Sequence, residues 1–118
     1  MKHSLIVISI LLSFVFTAHA EYNFGIFEIK KNIPESVYKK SLLKKFPIGI
    51  TKIDEIINYL NTLDFSPNVE QGKGYYKLIT NQQRLMISVV YDEYKLMTVD
   101  YFFQDNIITE LFIAFYPE

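Results

Sequence analysis

Cysteine and tryptophan are absent from this chain, and its two histidines stand at positions 3 and 19, close to the N-terminus. Without cysteine no disulfide can form, and no thiol can act as nucleophile or metal ligand. Long apolar runs are missing too. The longest, Leu5 to Phe16, is twelve residues broken by Ser9 and Ser13, whereas a membrane-crossing helix needs ~20. The chain has no G-x-S-x-G, no G-x-x-x-x-G-K-[ST] and no G-x-G-x-x-G.

The short apolar run has a different explanation. Lys2 and His3 precede it, and Thr17-Ala18-His19-Ala20 follow it. A basic start, an apolar centre and an A-x-A end make a secretory signal peptide, with cleavage expected between Ala20 and Glu21. Residues 1–20 are therefore read as the leader and residues 21–118 as a single domain. Glu21 offers no thiol for a lipid anchor, so the exported chain is not expected to be a lipoprotein. Its expected location is periplasmic or secreted. The abundance of Ile, Lys, Asn, Tyr and Phe suggests an AT-rich genome and, with the leader, a bacterium.

Cleavage also removes both histidines. The remaining 98 residues then carry 11 basic and 13 acidic groups, a net charge of −2, with neither His nor Cys. A Ser-His or Cys-His pair is excluded, and with it the usual zinc sites. No cofactor is expected. Stability must come from packing, for which nine Tyr and eight Phe after residue 20 supply large apolar surfaces.

Periodicity predicts the elements. Residues 21–31, with Tyr22, Phe24, Ile26, Phe27 and Ile29, read as an extended arm or edge strand. Asn32-Ile33-Pro34-Glu35 resembles a capping box opening a helix over 33–45, with Val37, Tyr38, Leu42, Leu43 and Phe46 at helical spacing. Phe46-Pro47-Ile48-Gly49 ends it. Thr51 is the expected N-cap of a second helix over 52–63, whose stripe is Ile53, Ile56, Ile57, Leu60 and Leu63. Residues 66–74 read as the main loop. The period then becomes two, predicting strands over 75–79, 84–91, 94–103 and 107–116, joined by connections too short for parallel crossovers.

The expected fold is α+β: two N-terminal helices on one face of a four-stranded antiparallel meander, a two-layer sandwich. Polar positions set the parity. Arg84, Ser88, Thr98, Asp100 and Glu110 should face outward, which turns Leu85, Ile87, Val89, Met97, Val99, Tyr101, Leu111, Ile113 and Phe115 towards the helices.

The stretch Phe46-Pro47-Ile48-Gly49-Ile50-Thr51-Lys52, leading into an amphipathic helix and a meander, resembles the small exported domains of the SmpA/OmlA and β-lactamase-inhibitor-protein-like group. That resemblance implies the helix-helix-meander fold over residues 33–116, and roles in envelope scaffolding or inhibition rather than catalysis. PepSY-like domains are a looser resemblance.

Two surfaces are candidates for function. Residues 30–52 hold seven lysines against Glu35, or +6, whereas residues 53–118 hold four basic and ten acidic groups, or −6. Lys39, Lys40, Lys44 and Lys45 of the first helix could meet an anionic lipid headgroup or small ligand, or simply form a solvated face. Nucleic acid is not an expected partner of an exported, net-acidic chain. The second surface is the outer sheet face, where Met86, Val90, Phe102, Phe112 and Tyr116 stand among polar residues. Such a patch suits a protein contact, unless the N-terminal arm folds back over it. The carboxylate pairs Asp54-Glu55 and Asp92-Glu93 read as a helix start and a hairpin turn. The sequence thus points to a non-enzymatic interaction module of the envelope or secreted fraction, an inhibitor or scaffold. The alternatives are an anion binder and, third, a carboxylate enzyme. It selects no oligomeric state.

Overall fold

A computed structural model describes residues 22–29, 33–67, 73–92 and 95–116. The expected leader, its Ala20/Glu21 junction, Asn32, Glu93 and most of the 66–74 loop lie outside the described residues, as do the side chains of Tyr91 and Asp92. Among the described residues the elements are α1 (Glu35–Lys45), α2 (Ile53–Asn61), β1 (Ser66–Pro67), β2 (Gly74–Ile79), β3 (Arg84–Asp92), β4 (Lys95–Gln104) and β5 (Ile107–Tyr116). A 3-10 turn at Gly25–Phe27 precedes α1, and another at Thr80–Gln82 joins β2 to β3. No described helix is long and apolar enough to cross a membrane.

The fold is α+β, and the sheet is five-stranded and mixed rather than a purely antiparallel set of four, in the order β1-β2-β3-β4-β5. Strands β2 to β5 are antiparallel neighbours, as the short connections require. The correction is β1, which runs parallel to β2 with Ser66 opposite Tyr75 and Pro67 opposite Tyr76. Alternation could not reveal a two-residue strand read as loop. Its proline is tolerated because β1 is at the sheet edge, where no further partner needs an N–H.

Parity along the meander follows the pattern. Leu85, Ile87, Val89, Met97, Val99, Tyr101 and Leu111 are buried on one face, with Ile113 and Phe115 half-buried beside them. A bulge in β5 extends this face. Phe102 pairs with Glu110 but Phe103 pairs with Ile108, leaving Thr109 as the extra residue. Strict alternation would turn Ile108 outward; the bulge returns it to the interior, where it is fully buried. At the hairpin tip Asp105 (φ 52°) and Asn106 (φ 67°) are both left-handed, the two-residue turn that matches strand twist.

Both helices lie on that inner face. Ile53, Ile56 and Leu60 of α2 are buried, while Ile57 and Leu63 are partly so. Fully burying such side chains contributes about 1.5–3 kcal/mol each before chain entropy is subtracted. The α1 stripe is narrower than expected. Tyr38 and Leu42 are buried and Phe46 follows, but Val37 is 52% exposed. Leu43 is partly buried against the core on one side of the Tyr38–Leu42 line, whereas Val37, on the other side and nearer the helix start, is left in solvent.

The helix starts also differ from expectation. α1 begins at Glu35 after Pro34, which makes no side-chain cap. α2 is preceded by Lys52, not Thr51, and the Lys52 N–H donates to the Glu55 carboxylate at 2.8 Å. Thr51 is instead buried and paired to β5. The Ile108 N–H donates to the Thr51 carbonyl (3.0 Å), the Gly49 N–H to the Ile108 carbonyl (2.8 Å), and the Ile53 N–H to the Asn106 carbonyl (2.8 Å). Pairing across the tertiary fold outweighs the local cap.

Over its described residues, 22–29, the N-terminal arm forms no strand, and of the outer-face residues it comes near Val90 at the end of the sheet. It turns at Gly25–Phe27 and inserts on the helix side. Phe27 is fully buried, edge-on to Phe65 (6.0 Å) and Tyr101 (6.5 Å). The Ile26 N–H donates to the Tyr59 hydroxyl at 2.8 Å, and the Asp64 N–H to the Asn23 carbonyl at 3.0 Å. Gly25 has φ +55°, and a Cβ there would clash with the Tyr59 hydroxyl, so this close approach needs glycine.

Candidate functional site

Strand register places the outward side chains in rows across β2, β3, β4 and β5. One row is Ile79, Arg84, Phe102, Glu110; the next is Lys77, Met86, Asp100, Phe112; the third is Tyr75, Ser88, Thr98, Ala114. Val90, Leu96 and Tyr116 follow. All five residues expected at a protein contact are therefore on one face, but in two groups. Met86, Phe102 and Phe112 cluster at one end. Val90 and Tyr116 stand at the other, four residues or about 13 Å away along the strands.

Between the groups runs a row of small side chains, Ser88, Thr98 and Ala114. The face thus carries two apolar shoulders with a row of smaller side chains between them, an arrangement called the saddle. Phe112 and Tyr116 are 54% and 51% exposed, while Met86, Val90 and Phe102 are half-buried. Phe102 and Phe112 meet edge-on at 5.7 Å, which holds both rings in place. Ser88 faces outward by register yet is buried. It sits on a central strand with larger neighbours on every side, so parity sets its direction but not its exposure.

A charge pair lies inside the first shoulder. Arg84 donates through Nε to the Asp100 carboxylate at 3.0 Å, and its Nη2 is 3.0 Å from the same oxygen. The guanidinium lies 5.8 Å over the Phe102 ring and 3.8 Å from the Met86 sulfur. Each charge is matched locally, so the shoulder is close to neutral and its apolar atoms set its character. Both residues were expected on this face, but not their diagonal pairing, which needs the register.

The lysines of α1 do not converge. Lys39, Lys40, Lys44 and Lys45 are all exposed, and successive helical residues turn by about 100°. Lys39 and Lys45 therefore flank the buried Tyr38–Leu42 stripe, whereas Lys40 and Lys44 lie behind it. Lys45 is further engaged by packing, its Nζ 4.6 Å over the Tyr59 ring. This spread describes a solvated helix better than a single anion site, and it sits on the opposite layer from the saddle.

Among the described residues no three of Asp, Glu, His and Cys come together. Asp54 and Glu55 open α2 as expected, Glu55 by accepting from the Lys52 N–H. The perturbed groups are in the core. The Tyr38 and Tyr101 hydroxyls are buried without a hydrogen-bond partner. Burial pushes both phenols well above their usual range, and for Tyr38 the neighbouring Tyr101 and Tyr59 add to it.

Comparison of the chain with protein-family models, with curated proteins and with solved structures finds no match.

Proposed function

We propose that this protein is an exported, non-enzymatic interaction module that docks a protein partner in the saddle on the outer face of its sheet. One observation carries the reading: the helices and the N-terminal turn pack on the same side, leaving Phe112 and Tyr116 half in solvent above a row of small residues. Aromatic anchors around a shallow, locally neutral surface are what a protein interface uses, and the rest of the contact then excludes water. A loop or single side chain of the partner fits between the shoulders. If the likeness to the inhibitor-protein group holds, that partner is an exported enzyme.

Capture from the envelope and culture-supernatant fractions tests this. The bait is wild type, Phe112→Asp with Tyr116→Asp, or a variant with Gln at Lys39, Lys40, Lys44 and Lys45. Both sheet positions are half-exposed, so the first variant should fold. A partner retained by wild type and the lysine variant, but lost with the sheet variant, supports the saddle. A partner indifferent to Phe112 and Tyr116, or lost with the lysines, moves the function to another surface.

A further inference from the structure

We propose that the cleft between the N-terminal turn and the end of the β2–β3 ribbon binds a short zwitterionic peptide with an aromatic or aliphatic side chain. The cleft holds about 310 Å³ and is lined by Tyr22, Phe24, Glu28, Ile29, Lys73, Val89 and Val90. That is the small end of the range for ligand sites, with room for one large side chain and its flanking backbone. Tyr22 and Phe24 stack at 5.7 Å with only 2° between their planes. Phe24 is buried and Tyr22 is 49% exposed. The stack therefore presents a flat ring against which another aromatic or aliphatic group packs.

Glu28 and Lys73 supply the charges. They share this lining with opposite signs, and neither bridges to another of the described residues, whose one ion pair is Arg84–Asp100. A carboxylate and an ammonium set apart on an apolar lining match a ligand carrying both charges. A simple anion or cation would satisfy one and meet repulsion from the other, and a neutral apolar molecule would satisfy neither. The ligand ammonium pairs with Glu28 and its carboxylate with Lys73, both on the exposed rim of the cleft. Of these lining residues only Val90 belongs to the saddle, so this site and the proposed protein contact stand or fall separately.

Titration of the purified protein with Phe-Leu, N-acetyl-Phe-Leu and Phe-Leu amide, followed by NMR and calorimetry, tests the assignment. Phe-Leu should shift the Tyr22, Phe24, Val89 and Val90 amides saturably. Removing either peptide charge should weaken binding about tenfold, the size of one charge-assisted contact. Glu28→Gln should weaken Phe-Leu by a similar factor but leave the acetylated peptide unchanged, and Lys73→Gln should do the same with respect to the amide. Phe112→Asp should leave all of this intact. Equal affinity for the three peptides, or no saturable shift at millimolar Phe-Leu, overturns the proposal.

Discussion

Removing a hydroxyl group should stabilise this protein at two tyrosines and destabilise it at two others. Tyr38 and Tyr101 are buried with no partner for their hydroxyls. By contrast, the Tyr76 hydroxyl donates to the Asn61 side chain at 2.5 Å, and the Tyr59 hydroxyl accepts from the Ile26 N–H at 2.8 Å. An unsatisfied buried polar group costs about 1–3 kcal/mol, while a made hydrogen bond contributes about 1 kcal/mol net. The substitution Tyr→Phe changes little volume, so the hydrogen bond decides the sign. Tyr101→Phe and Tyr38→Phe should each gain about 1 kcal/mol, and Tyr76→Phe and Tyr59→Phe should each lose about 1 kcal/mol. In a domain of this size that is a shift in Tm of about 4–8 °C in either direction. Tyr38 and Tyr101 are neighbours, so their double variant should gain less than the sum. Urea unfolding of the four single variants and the double reads this directly. A loss of about 1 kcal/mol or more at Tyr101→Phe would instead show that its hydroxyl is hydrogen-bonded in solution.

Three further outcomes are expected. Burial holds the Tyr38 and Tyr101 phenols above their usual value near 10, so the folded chain keeps protons that the unfolded chain releases. Stability should be level below that value and fall above it by up to about 1.4 kcal/mol per pH unit for each tyrosine. The double Tyr→Phe variant should lose this alkaline slope; an unchanged slope in urea melts from about pH 9 to 11 would refute the cause. Asn106→Gly should raise stability by about 0.5 kcal/mol, because Asp-Gly suits a turn whose two residues are both left-handed better than Asp-Asn does. Gly25→Ala should lose about 2–4 kcal/mol, since the left-handed backbone and the clash with Tyr59 act together. Thermal melts measure both, and a neutral Gly25→Ala would place the N-terminal turn outside the core.

Strand and helix periods in the local sequence reach a long way here. Alternation along β3, β4 and β5 names the inward face apart from Ile108, because one shift in parity would bury Arg84, Asp100 and Glu110. The i, i+3, i+4 spacing of Ile53, Ile56, Ile57 and Leu60 is equally clear, since a helix has one way to bury that stripe. The five aromatic and aliphatic residues of the saddle follow from the same parity. What local pattern could not supply was anything set by contacts distant in sequence. Tyr22 to Ile29 is short and apolar-rich like an arm or edge strand, yet Phe27 is drawn under Phe65 and Tyr101. Thr51 has the chemistry of a helix cap, yet its carbonyl is claimed by Ile108. Ile108 itself is turned inward by one extra residue, Thr109. The grouping of the saddle into two shoulders, and the pairing of Arg84 with Asp100, depend on which residue lies opposite which. Periodicity fixes the direction of a side chain because each element's geometry repeats locally. Its neighbours are fixed only when separate elements pack, and here those neighbours shape both candidate sites.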